Sequence, residues 1–157
     1  MVEKRRTLPR RALSLFVPLA LAAVVTAGPS AGGTARPLVR VQVPLGQRVR
    51  DLVRGRLVER ITCAQSCRTR TTIYIRARLA RRLGFKNVHG QPVAVGSRAI
   101  TLAAGRPTRV QIPLDASSRK LMSKANLGIQ VLGQVTAQAV RTSSRRGSAS
   151  WITFLNP

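Results

Sequence analysis

The chain has 157 residues, enough for one domain, and its 44% apolar content is sufficient to build a core. It carries 28 Lys and Arg against 4 Asp and Glu, a formal net charge of +24, and only 3% aromatic residues. That balance attracts polyanions, while the scarcity of rings excludes an extended base-stacking platform or a ring-lined sugar groove. An Arg-rich, Lys-poor composition is also what a GC-rich genome writes at neutral surface positions, so charge alone does not separate selection from drift.

Residues 1–11 carry Lys4, Arg5, Arg6, Arg10 and Arg11, and residues 12–27 (ALSLFVPLALAAVVTA) are apolar. A positive stretch, then a short apolar run interrupted by Pro18, then small residues at Val25-Thr26-Ala27, make an export signal. The alternative is retention of the same segment as an anchor helix. Residues 28–36 are a flexible linker, and 37–157 form one module. Beyond residue 27 lie 23 basic and 3 acidic residues, an excess of +20, so the basic character belongs to the module.

Residues 37–44 (PLVRVQVP) alternate between apolar and polar side chains and predict a first strand bounded by prolines. In 47–55 (QRVRDLVRG), Val49, Leu52 and Val53 sit at helical spacing and Gly55 ends the turn. Residues 57–63 (LVERITC) return to strand character. The clearest period of two runs through 68–79 (RTRTTIYIRARL), with Thr69, Thr71, Ile73, Ile75, Ala77 and Leu79 on one face. Arg68, Arg70, Thr72, Tyr74, Arg76 and Arg78 take the other, which argues for a half-buried antiparallel strand with one wet face. A short helix over 79–84 follows, stopped by Gly84.

Two short strands, 91–95 and 98–103, are expected around a turn at Gly96-Ser97. Gly105-Arg106-Pro107 reverses the chain into 108–114 (TRVQIPL). Asp115 is a helix N-cap for 116–125, with Asn126 taking the left-handed stop. Residues 127–140 alternate again, with Leu127, Ile129, Val131, Val135 and Ala137 inward. A polar hairpin loop at 142–147 leads to a last strand at 148–155 (SASWITFL). About seven short strands with regular turn signals predict an all-β antiparallel sandwich with short helical turns.

Cys63 and Cys67 enclose three residues between two strand patterns. In an exported chain this is a hairpin disulfide, with about 2 kcal/mol from so small a ring. No metal or redox site is expected, since C-x-x-x-C lacks the usual redox spacing and His89 is the single His. Asp51, Glu59 and Asp115 are the carboxylates of the module. Asp115 caps a helix, Asp51 pairs locally, and Glu59 is expected to balance a neighbouring Arg beside Arg60. No pair is spaced for acid–base work, there is no G-x-S-x-G elbow, and His89 falls in a loop, so neither an enzyme nor a small-molecule cofactor or substrate is expected.

The basic residues form three clusters: Arg48, Arg50, Arg54 and Arg56; then Arg68, Arg70, Arg76 and Arg78 on one strand face; then Arg81, Arg82 and Lys86. Arg forks suit phosphate oxygens, so these are candidate polyanion-binding residues. The competing expectation is a solvated face whose charges prevent edge-to-edge association. No zinc finger, RNP motif or recognition helix suggests sequence-specific nucleic-acid reading.

From Arg48 onward the chain resembles the immunoglobulin-like β-sandwich modules of proteins secreted by GC-rich bacteria. The features that carry the resemblance are QRVRDLVRGRLVERITC, the C-x-x-x-C hairpin, RLARRLG and LAAGRPTRVQIPLDASSRKLM, about two-thirds of the chain. The D-x-x-G-N hairpin common before the last strand in such modules is replaced here by 142–147, which removes any acidic ion site there. The resemblance implies an extracellular, non-catalytic spacer or adhesion unit. Two functions are therefore expected: a secreted structural or interaction module with an extracellular protein partner, or a binder of wall phosphate polymer, extracellular DNA or anionic lipid.

Overall fold

A computed structural model of the chain describes residues 37–142 and 144–157. The export segment and linker expected over residues 1–36 lie outside the described residues. The elements run β1 (Val39–Gln42), α1 (Val49–Val53), β2 (Leu57–Cys63), β3 (Cys67–Ile75), α2 (Ala77–Leu83), β4 (Val93–Leu102), β5 (Thr108–Ile112), α3 (Ala116–Met122), β6 (Ile129–Ala139) and β7 (Arg146–Leu155). They form two antiparallel sheets, β1-β2-β5 and β4-β3-β6-β7, with the core between them.

Alternation in the sequence decides which side chains enter that core. In β2, Leu57, Glu59, Ile61 and Cys63 point inward and Arg60 outward; in β3, Cys67, Thr69, Thr71, Ile73 and Ile75 point inward, with Arg68 and Arg70 outward. β1 pairs with β2 only as far as Gln42–Arg60. One step further, the Gln47 side chain substitutes for a strand: its Oε1 accepts from Val58 N at 2.7 Å and its Nε2 donates to Val58 O at 3.0 Å. A backbone edge that would otherwise lose both bonds is thereby satisfied.

Cys63 and Cys67 are bonded across the β2–β3 hairpin, with a Cα–Cα distance of 6.3 Å, and both are fully buried. They mark one end of the sandwich. All three helices close the other end, where Leu52, Ala80 and Met122 pack with Ile75, Val131 and Leu155. Gly84 stops α2 as the sequence indicates, at φ 89°, a conformation that costs a side-chain-bearing residue dearly. Asn126 does not take the corresponding role after α3. That helix ends at Met122 with Ser123 still right-handed, and Asn87 is the non-glycine residue with positive φ among those described.

Asp115 caps α3 as expected. Its Oδ1 accepts from Ser118 N and Ser117 Oγ, both at 2.7 Å, and its Oδ2 accepts from Ser118 Oγ at 2.8 Å. Partial burial alone would raise its pKa, but these hydrogen bonds outweigh it and hold the carboxyl below its ordinary value. Asp115→Ala should therefore cost about 1 kcal/mol, read as a lowered urea midpoint at neutral pH, because a seven-residue helix has little else to hold its first turn. The loss should shrink on acidification, as the wild-type cap is itself protonated.

Further expectations are corrected. Strand pairing ends at Ile75, where α2 begins at Ala77, so Arg76 is a helix N-cap and Arg78 a helix residue rather than members of the β3 face. Gly96-Ser97 is no turn: β4 runs continuously through it, with an irregularity opposite Ile73 and Tyr74, and Gly96 bridges to Leu114. Leu127 precedes β6 and is 60% exposed instead of inward. Glu59 does not balance an arginine at the surface. It is fully buried between the sheets, where its Oε1 accepts from Thr71 Oγ1 and its Oε2 from Trp151 Nε1 at 2.9 Å.

This polar group occupies the seam between two halves of the core. Leu57, Ile73 and Val131 lie on the helical side and Ile61, Cys67 and Val135 on the disulfide side. Burial pushes the Glu59 carboxyl above its ordinary value, although both hydrogen bonds pull it down. The rims where the sheets meet are tied as well. Arg48 bridges Asn156 just past the end of β7, and Cys63 bridges Ala104 just past the end of β4.

Candidate anion-binding face

The outer face of the four-stranded sheet can be read row by row from its register. Across β4, β3, β6 and β7 the first row is Thr101, Arg68, Gln138, Arg146, and the second is Ala99, Arg70, Thr136, Ser148. The third is Ser97, Thr72, Gln134, Ser150, and the fourth is Ala94, Tyr74, Leu132, Ile152. Phe154 follows beside Gln130. Rows on one face are roughly 7 Å apart and neighbouring strands about 5 Å, so Arg146 lies about 10 Å across the sheet from Arg68.

Arg68, Arg70 and Arg146 line one open concavity of about 660 Å³ together with Thr136, Gln138 and Ser148. Three arginines, two hydroxyl-bearing residues and a glutamine thus line one hollow, and no Asp or Glu among the described residues lines it. Asp51 is occupied at the start of α1, accepting from Arg48 N at 3.1 Å, Asp115 caps α3, and Glu59 is inside the core. Cations without local counter-charges keep their full attraction for an incoming anion.

No known protein family, curated protein or solved structure matches the chain. The reading of the site therefore rests on its own geometry.

The structure brings together only part of the expected basic set. Arg68 and Arg70 stand on the face described. Arg76, Arg78, Arg81, Arg82 and Lys86 belong to α2 and its flanks at the helical end, as do Arg48, Arg50, Arg54 and Arg56 around α1. Arg50 and Arg54 border a smaller hollow of about 240 Å³ between α1 and the end of α3. Two features escaped the sequence reading. Arg146, expected in the loop over 142–147, opens β7 instead, and Arg146, Ser148, Ser150 and Ile152 continue the outward alternation of that strand backward by one step. The three-stranded sheet also carries Arg40, Arg60 and Arg109 outward, with Arg60 directly opposite Arg109.

Catalytic material is sparse. His89 is exposed in the segment between α2 and β4, and among the described residues no three His, Cys, Asp or Glu side chains gather into a metal-holding group. No described helix is long and apolar enough to cross a membrane.

Proposed function

We propose that the protein is a non-catalytic, extracytoplasmic binding module that holds an anionic polymer on the outer face of its four-stranded sheet. The observation that carries this is that Arg68, Arg70 and Arg146 line one concavity with Thr136, Gln138 and Ser148, and that no carboxylate of the described residues lines it. The basic, then apolar, residues 1–27 and the Cys63–Cys67 disulfide support an oxidising location outside the cytoplasm.

An immunoglobulin-like topology is part of the proposal. Lettered in chain order A, B, C, C′, E, F and G, the strands give A-B-E packed on C′-C-F-G, with the fourth strand beside the third as in variable-type domains. Two antibody hallmarks differ: the disulfide joins B to C rather than B to F, and the buried Trp is on the last strand rather than on C.

A second reading keeps the module as a plain structural or protein-interaction unit whose charge only keeps it soluble. The Arg60–Arg109 pair favours it, because facing like charges show that basic residues are not confined to one face. Binding of the oxidised protein to a soluble polyphosphate across a salt series separates the two. Three phosphate contacts predict a log–log slope of roughly −2 to −3, and the combined Arg68→Ala, Arg70→Ala and Arg146→Ala variant should flatten it. An equal loss from Arg40→Ala, Arg60→Ala and Arg109→Ala together would point to diffuse charge and overturn the site.

A further inference from the structure

The Arg-lined rows occupy only one end of the outer face. At the other end the register sets Tyr74, Leu132 and Ile152 side by side in one row, with Phe154 in the next. Ile152 is 63% exposed and Phe154 61%, and Leu127 is 60% exposed in the segment that leads into β6. The backbone at Gly128 lies directly under the Phe154 ring, so Phe154 and Leu127 belong to one patch. Between the two ends runs the uncharged row Ser97, Thr72, Gln134, Ser150. Over roughly 20 Å, one sheet face therefore grades from cationic through neutral polar to apolar.

A soluble phosphate polymer accounts for the cationic end and leaves the apolar end without a purpose. An anionic bilayer surface offers phosphates and an acyl boundary together. Its charge also matches what surrounds the apolar end. Arg76 follows β3 directly, Arg48 bridges Asn156 two residues past Phe154, and Lys124 stands three residues before Leu127, all exposed. Apolar side chains ringed by cations are the composition of interfacial membrane contacts, where burial and attraction to anionic headgroups add.

We infer that the four-stranded face docks flat on an anionic phospholipid surface, with Arg68, Arg70 and Arg146 on headgroup phosphates and Leu127, Leu132, Ile152 and Phe154 at the acyl boundary. This rests on the anion-binding reading of the same face and names its partner. The test is co-sedimentation of the oxidised protein with vesicles of phosphatidylcholine alone and of phosphatidylcholine mixed with phosphatidylglycerol, beside binding to soluble polyphosphate.

The expected result is association with the mixed vesicles, weakened by salt and lowered about tenfold or more in Ile152→Ser combined with Phe154→Ser, since each removes an apolar side chain from the contact. Both positions are exposed, so the fold is kept, and polyphosphate binding by that variant should be unchanged. Vesicle binding equal to wild type in the Ser variant would overturn the inference. Arg-dependent polyphosphate binding without vesicle binding would overturn it and leave the anion-binding reading standing. Binding to neither would overturn both.

Discussion

Gly133→Ala should destabilise the protein by about 3 kcal/mol, the upper range for overpacking a close-packed core. Gly133 faces Trp151 across β6 and β7, and a Cβ built there would fall within the indole, against Cε2, Cζ2 and Nε1. The ring cannot simply step aside, because its Nε1 donates to Glu59 and its plane closes the helical half of the core. Moving it would strip a buried carboxyl of one of its two donors while opening a gap elsewhere. Urea unfolding monitored by Trp151 fluorescence reads both consequences, a lower midpoint and a red-shifted native spectrum. A variant with wild-type midpoint and spectrum would show that the indole does not rest on Gly133.

Glu59 should make stability depend on pH in a direction opposite to that of a surface ion pair. Its carboxyl is raised in the folded state, so the native protein binds a proton more tightly there than the unfolded chain does. The corresponding stability is complete below the ordinary value of 4.5 and is lost as the pH rises through the folded-state pKa. Glu59→Gln keeps the shape and an acceptor for Trp151 but cannot ionise, so its stability relative to wild type should grow with pH over that window. Asp115 titrates with the opposite sign, and subtracting the Gln variant from wild type removes its contribution. Glu59→Ala, by contrast, should lose about 3 kcal/mol at acidic pH, leaving Trp151 Nε1 and the Thr71 hydroxyl unpaired beside a cavity. Parallel wild-type and Gln curves across pH would show that Glu59 ionises freely in the fold.

Much of the architecture was legible because a period of two is a local signal. β2 begins and ends where its alternation does, at Leu57 and Cys63, and β6 and β7 fall within or next to their expected ranges. The errors arise where two periods agree. Ala77 and Leu79 continue the inward phase of β3, yet they also suit the first turn of α2, and the helix prevails because Ala80 then reaches the core with Leu52 and Met122. The same switch moved Arg76 and Arg78 off the outer face of the four-stranded sheet.

Glu59 illustrates a different limit. Its inward phase is visible in LVERITC, but an acidic residue beside Arg60 suggests a surface partner, while its donors, Thr71 and Trp151, are 12 and 92 positions away. The concavity was half legible for the same reason: Arg68 and Arg70 share a strand, whereas Arg146 reaches them only through β6, a pairing that no local pattern announces.

The bridges from Arg48 to Asn156 and from Cys63 to Ala104 bear on where another chain could add to the sheets. A β protein commonly spends cations on its outer strands to keep neighbours from adding to the sheet. Here backbone bonds hold two corners as well: Asn156 O accepts from Val49 N at 2.8 Å and Cys63 O accepts from Gly105 N at 2.8 Å. At those two corners a chain adding to a sheet would find the carbonyls it needs already bonded, whatever the salt.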